Sequence, residues 1–323
     1  MTRMVSPDRP LRKPNLFVIG AMKSGTSFLS RLLDQHPSIF IPRLEEPSYF
    51  MPPDQLRRLW PYMWDKGIWR SEDAYLRLFL PGGDAPILGE ASTNYSKIPQ
   101  VSGVPQRIAR FTDAARFIYV MRDPIERSIS HYWHMVRFNA EYRPMRTAIL
   151  QDPHYLAVSH YALQLAPYFG LFGPNRIFTL TFEELTRDPD TTMRRIYRWL
   201  GVDPSAAPQA DTVCAENATP DIVARPSFRG VPQRLRHFTA LRLMAPYLPR
   251  ATRCAAKRLT TTQVNRNSVD ASSVVEFLRP IQQRQTDVLT EMLGRDFPEW
   301  TTLFATSAPA AVLPTCNKRF AHA

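Results

Sequence analysis

The apolar positions of this chain change period repeatedly, and each change marks a switch between strand and helix. Leu16–Ile19 is a short unbroken apolar run ended by glycine, the pattern of a strand buried on both faces. Thr26–Gln35 then places Phe28, Leu29, Leu32 and Leu33 at helical spacing, and His36-Pro37 stops it. PILGEAS (86–92) predicts a further strand, residues 107–111 the end of a helix, and RFIYVM (116–121) the second clear strand. A helix over 122–137 follows, with Asp123 as its cap and Pro124 at its first position. Helical spacing returns from about 158 to 172, RIFTLTF (176–182) reads as a third clear strand, and Pro189–Leu200 as an amphipathic helix closed by Gly201. Strands alternating with helices predict an α/β fold: a central parallel sheet, P-loop-like, with helices on both faces.

Between these elements the pattern is weaker. Residues 42–86 read as loop-rich, with prolines throughout and Trp60, Trp64 and Trp69 among them. From 202 to 270 the sequence is rich in Pro, Ala and Arg without a clear period, and 273–294 predicts one or two closing helices. No internal repeat or sharp linker divides the chain. The expected organisation is a loose, polar N-terminus (1–14), one domain over 15–300 and a C-terminal tail (301–323).

The first strand, turn and helix carry the most distinctive chemistry. NLFVIGAMKSGTSFLSRLLDQHP (15–37) points backbone N–H groups and a helix N-terminus at one spot, an arrangement that suits a phosphate. An ATP loop of the Walker type would carry lysine directly after its second glycine. Here Lys23 lies between Gly20 and Gly25, Thr26 occupies the usual lysine position, and Ser24 and Ser27 add hydroxyls. A second segment, YVMRDPIERSISHY (119–132), places Arg122 at the carboxyl end of a strand, where open α/β sheets bind ligands. Its planar fork suits phosphate, and Ser130 can add a hydroxyl bond. Two such sites fit a ligand phosphorylated at two separated positions.

With this pairing the sequence resembles the sulfotransferases that use 3′-phosphoadenosine 5′-phosphosulfate (PAPS), closest to the bacterial and glycan-type branch that includes the heparan sulfate enzymes. The resemblance rests on Lys23-Ser24-Gly25-Thr26 after FVIGAM and on Arg122-Asp123-Pro124 with Arg127, Ser130 and Tyr132 after FIYV. QHPSIFIPRLEEPSYF (35–50), LGEASTNY (88–95), TFEELTRDPDTTMRRIYRWLGV (181–202) and MLGRDFPEW (292–300) extend it over roughly 15 to 300. The resemblance implies that Lys23, Ser24, Gly25, Thr26 and Ser27 hold the 5′-phosphosulfate and that Arg122 and Ser130 hold the 3′-phosphate. Arg229 and Gly230 would add a late contact to that phosphate. It implies Glu46, in EEPSYF, as the base, although Glu45 and Ser48 depart from the Lys and His of the family segment. His134 is the reserve base, and both it and His131 also fit a packing role. Ala91 stands where relatives carry a lysine, and Glu90 orients either Lys23 or the loop.

The expected reaction moves a sulfonate from PAPS to a hydroxyl of a glycan, lipid or small molecule and leaves 3′-phosphoadenosine 5′-phosphate (PAP), without a metal. A P-loop phosphotransferase and a non-catalytic nucleotide- or glycan-binding protein are the alternatives. Tyr49, Phe50, Trp60, Tyr62, Trp64 and Trp69 read mainly as a satellite core, with a few rings facing the acceptor. A net charge of +12 agrees with an anionic ligand, as it does with a plain basic surface. No nucleic-acid module appears, so nucleic acid is not an expected partner. The three cysteines, Cys214, Cys254 and Cys316, are too scattered for a disulfide framework. With neither a run of 18 apolar residues nor an apolar segment after the basic N-terminus, the expected location is the cytoplasm.

Overall fold

The computed structural model describes residues 10–138, 140–208, 220–226 and 261–305. Its centre is a five-stranded parallel sheet, ordered β2 (Ile39–Phe40), β3 (Ile87–Ala91), β1 (Leu16–Gly20), β4 (Arg116–Met121) and β5 (Ile177–Thr181). Alternation along each strand divides the core in two. Phe17 and Ile19 of β1, with Phe117, Tyr119 and Met121 of β4, join a cluster containing Leu165 and Tyr168 of the helix Tyr161–Phe172 and Leu278 of the helix Ser272–Leu293. Leu16, Val18, Ile118 and Val120 face the other way, onto Leu29, Leu32 and Leu33 of Thr26–Asp34 and Ile196 and Leu200 of Pro189–Leu200. Helices therefore cover both faces, as the alternating pattern predicts.

Differences from the sequence reading have local causes. The 42–86 segment is not loop-rich but holds helices at Pro53–Leu59, Pro61–Asp65 and Glu72–Leu76. Pro53 and Pro61 start helices, at positions whose missing N–H would be unpaired anyway, and Ser71 caps the third by accepting from the Ala74 N–H. Residues 10–14 and 301–304 belong to the folded unit. Arg12 donates to the carbonyls of Gly83 and Ala85, and the Leu303 N–H donates to Asp123. The closing segment is a single helix that accommodates Pro280. An antiparallel pair, β6 (Ile222–Pro226) and β7 (Thr261–Asn265), lies within the weak 202–270 stretch, and β6 packs on the helix Pro124–Arg137.

The sheet delivers three chemistry-bearing segments to one edge: the Lys23 turn after β1, residues 92–97 after β3, and Arg122 after β4. No helix among the described residues is long and apolar enough to cross a membrane.

Ile118 is fully buried in the second cluster, whereas Leu163 is 42% exposed. Ile118→Ala should lower unfolding free energy by about 2–5 kcal/mol, and Leu163→Ala by well under about 1 kcal/mol, measured by urea denaturation.

Candidate active site

The turn after β1 is shaped by three residues with positive φ: Gly20 (156°), Lys23 (71°) and Gly25 (86°). Glycine is required at both ends for lack of space as well as for φ. A Cβ on Gly20 would lie 2.3 Å from Ser96 Oγ and 2.7 Å from the Tyr119 ring, and one on Gly25 would lie 2.7 Å from the Phe182 ring. Lys23 has no such freedom, so its left-handed backbone is strained and held by the surrounding turn. Ser24 is fully buried and its hydroxyl has no hydrogen-bond partner among the described residues. An orphaned hydroxyl at the start of a helix, next to a lysine, fits an anionic oxygen. Thr26 begins that helix and is buried, and Ser27 is half-buried beside it.

Cations converge on this turn. Burial pushes the Lys23 ammonium down to about 8, and Arg122, Arg137 and Arg266 add repulsion in that order. Arg122 lies 5.0 Å over the Phe182 ring and pairs with Glu126 at 3.4 Å, a long contact that leaves donors of its fork free to face a ligand. Its position is set by Tyr161, whose hydroxyl donates to the Arg122 carbonyl (2.6 Å) and accepts from its N–H (3.2 Å). Asp123 caps the following helix by accepting from the N–H groups of Ile125 and Glu126. Ser130 is half-buried two turns on and makes no hydrogen bond among the described residues. Arg229 and Gly230 lie outside the described residues.

Glu46 lies on a loop locked to the segment after β3. The Thr93 N–H (3.0 Å) and hydroxyl (2.7 Å) both donate to Glu46 Oε1, while Oε2 is buried without a partner among the described residues. Glu46 (φ 53°) and Ser48 (φ 59°) are both left-handed. The Ser48 N–H donates to Ser92 Oγ, Asn94 donates to Ser48 Oγ, and the Phe50 N–H donates to the Tyr95 hydroxyl. Beneath them Glu90, 1% exposed, accepts from the hydroxyls of Tyr75, Tyr95 and Ser92. Glu90 thus orients the Glu46 loop, and its hydrogen bonds do not reach Lys23. Burial pushes its carboxyl up to about 7 against those hydrogen bonds, with Glu46 adding a smaller upward push.

The histidines differ in place and protonation. His131 is buried against Arg127, His154 and Tyr155, and burial holds its pKa well below the usual range. His134 lies nearer the cleft, pushed down to about 3 by burial, then by Lys23, Lys97 and Arg137. It is neutral at ordinary pH and a weak proton acceptor. The aromatic stretch splits as well. Tyr49 and Phe50 pack with Tyr75 and Phe111, and Trp64 stacks on Trp69 at 3.7 Å. Tyr62 is exposed at the mouth, where burial of its hydroxyl and the Glu46 and Glu45 charges raise its pKa.

Lys97, Arg137, Arg266 and Phe182 stand in no motif that points to this site. All four are brought there by the fold, and only Phe182, as the residue after a strand, had a placement that pattern alone could suggest. Among the described residues no group of three or more His, Cys, Asp or Glu is arranged to hold a metal ion.

The chain matches the model of the sulfotransferase family over residues 14–77 and 61–206, a span that includes Lys23, Glu46 and Arg122. It belongs to the sulfotransferase family. Among curated relatives, the chain is 27% identical over 208 residues to the bifunctional heparan sulfate N-deacetylase/N-sulfotransferase 4 of Mus musculus, covering 59% of this chain and 22% of that protein. It is 25% identical over 198 residues to the heparan sulfate glucosamine 3-O-sulfotransferase 3A1 of Mus musculus, covering 58% of this chain and 46% of the relative. The chain therefore spans less than half the length of either. The crystal structure of a sulfotransferase from Alicyclobacillus acidocaldarius aligns with a TM-score of 0.65 at 25% identity, covering 90% of this chain and 99% of that one. The P-loop-like α/β class and the family expected from the sequence both hold, and the phosphotransferase alternative falls away.

Glu90 supplies a test of how the sulfotransferase loop is held. A carboxyl raised from its ordinary 4.5 to about 7 binds its proton more tightly when folded, so that stabilisation is complete below about 4.5 and lost as pH rises through about 7. The stability of the wild type relative to Glu90→Gln should therefore fall by a few kcal/mol between pH 4.5 and 8, read from urea denaturation of both proteins across that range.

Proposed function

We propose that this protein transfers a sulfonate group from PAPS to a hydroxyl of a glycan acceptor. One observation supports this function above the others: Lys23 and Arg122, on turns after adjacent strands, lie near each other and beside Ser24, whose hydroxyl has no hydrogen-bond partner among the described residues. The donor's two phosphate groups match the two cationic turns. Lys23, the hydroxyls of Ser24, Thr26 and Ser27 and the N–H groups around Gly25 bind the 5′-phosphosulfate. Arg122 and Ser130 bind the 3′-phosphate.

The exchange follows from the placement. Glu46 Oε2 takes the proton from the acceptor hydroxyl as its oxygen forms a bond to sulfur. The bond from sulfur to the bridging phosphate oxygen breaks, and its electron pair stays on that oxygen. Lys23 neutralises the charge developing there and PAP departs. The helix N-terminus and Lys23 supply the cationic stabilisation, so no metal enters the scheme. Glu46 is the base in preference to His134, because burial, and after it the Lys23, Lys97 and Arg137 charges, weaken the imidazole as a proton acceptor.

The glycan acceptor rests on one feature of the comparisons. The two curated relatives above carry heparan sulfate in their names.

Thermal-shift titration with PAP, ATP and ADP tests the donor, and only PAP should raise the melting temperature substantially. Lys23→Ala and Arg122→Ala should each weaken PAP binding by about 10- to 100-fold. Glu46→Gln should leave PAP binding intact and lower transfer of ³⁵S from PAPS to an oligosaccharide acceptor by about 100-fold or more. Full activity in Glu46→Gln would overturn the assignment of the base.

A further inference from the structure

Lys97, just beyond β3, is a cation with no evident structural purpose. It is 4% exposed, yet its ammonium makes no hydrogen bond or ion pair among the described residues. Its neighbour is the face of Trp60, at 4.6 Å. Burying an ammonium without an acceptor is costly, and a ring face offsets only part of that cost. A lysine that served packing alone would be replaced at less cost by a methionine.

Several charged and titratable groups surround it. Glu46, from the loop facing β3, is the one negative neighbour that favours its charged form, while Arg127 opposes it. His131 and His134 on the helix Pro124–Arg137, and His154 on the next turn of packing, all feel the Lys97 charge. His134 also feels Lys23, so it lies between the two lysines. One carboxylate oxygen and one ammonium, neither hydrogen-bonded among the described residues, are thus held near each other, with His134 close to both lysines.

That arrangement meets a need of the proposed reaction. The base is a carboxylate, and it must work beside a sulfonate that is itself negative. Lys23 neutralises charge only on the leaving side. We propose that Lys97 is a second catalytic cation of this sulfotransferase, its ammonium contacting the sulfonate from the acceptor side, next to Glu46. It offsets the repulsion between base and sulfonate and stabilises negative charge on the sulfonate oxygens during the exchange. No proton leaves Lys97: the acceptor's proton goes to Glu46, and the electron pair of the broken bond goes to PAP. Trp60 closes the other side of the ammonium without supplying an acid that would neutralise it. The inference rests on the sulfonate-transfer function above.

Burial also holds the Lys97 amine down to about 8, with Glu46 opposing the fall. Competitive acetylation of the ligand-free protein with acetic anhydride, read at residue 97 by mass spectrometry, should therefore titrate below an ordinary lysine. In Glu46→Gln the titration should move lower still, because the ammonium loses its one favourable neighbour. With ³⁵S-PAPS and water as the acceptor, Lys97→Met should slow sulfate release about 100-fold while PAP affinity stays within about threefold of wild type. Lys97→Arg should recover much of the rate. Wild-type turnover in Lys97→Met, parallel loss of rate and PAP binding, or an acetylation profile unmoved by Glu46→Gln would each overturn the role of Lys97. Failure of the wild type to bind PAP would instead overturn the sulfonate-transfer function itself.

Discussion

The constraint on which the site depends is the crowding of cations at the carboxyl edge of the sheet. Burial depresses the Lys23 ammonium, and Arg122, Arg137 and Arg266 lie close enough to depress it further. Two of these arginines are ion-paired, Arg122 with Glu126 and Arg266 with Asp221, each at 3.4 Å. Like charges held together in a partly desolvated cleft oppose folding unless an anion joins them. The cleft is thus preorganised for a polyanion, and binding one relieves repulsion already built into the protein.

Holding that arrangement falls to elements that carry no reaction themselves. Gly20 and Gly25 make room for Tyr119, Ser96 and Phe182, which fix the turn from three directions. On the other wall, Thr93, Ser92, Asn94 and Tyr95 each bond to the loop of Glu46, and Glu90 anchors Ser92 and Tyr95 from below. One oxygen of Glu46 is thereby occupied and the other left free. A base fixed by one oxygen keeps its second in place without having to be ordered during the reaction.

Much of this was legible in the sequence where the signal is local. RFIYVM is an unbroken apolar run and became β4 over the same residues, and Asp123-Pro124 marked the start of the helix it does start. The two-residue β2 has no period to detect, and β6 and β7 are joined by a long stretch with weak patterning. The prolines throughout 42–86 point to loop because proline stops a helix from within, whereas Pro53 and Pro61 each open one. At the site, Lys23, Arg122 and Glu46 stand in motifs and could be named in advance. Lys97 could not, because a lysine is ordinarily exposed and only the packing of Trp60 and the Glu46 loop around it reveals that this one is buried. Arg266 was equally hidden, in sequence without a period.

The proposed function assigns the nucleotide to the Lys23 and Arg122 turns and the acceptor to Glu46 and Lys97. The most direct measurement of that division is the ratio of affinities for PAP and for 5′-AMP, which lacks the 3′-phosphate, in the wild type, Arg122→Ala and Lys23→Ala. If Arg122 holds the 3′-phosphate, the wild-type preference for PAP collapses toward unity in Arg122→Ala and survives in Lys23→Ala. A preference unchanged by Arg122→Ala would contradict the account.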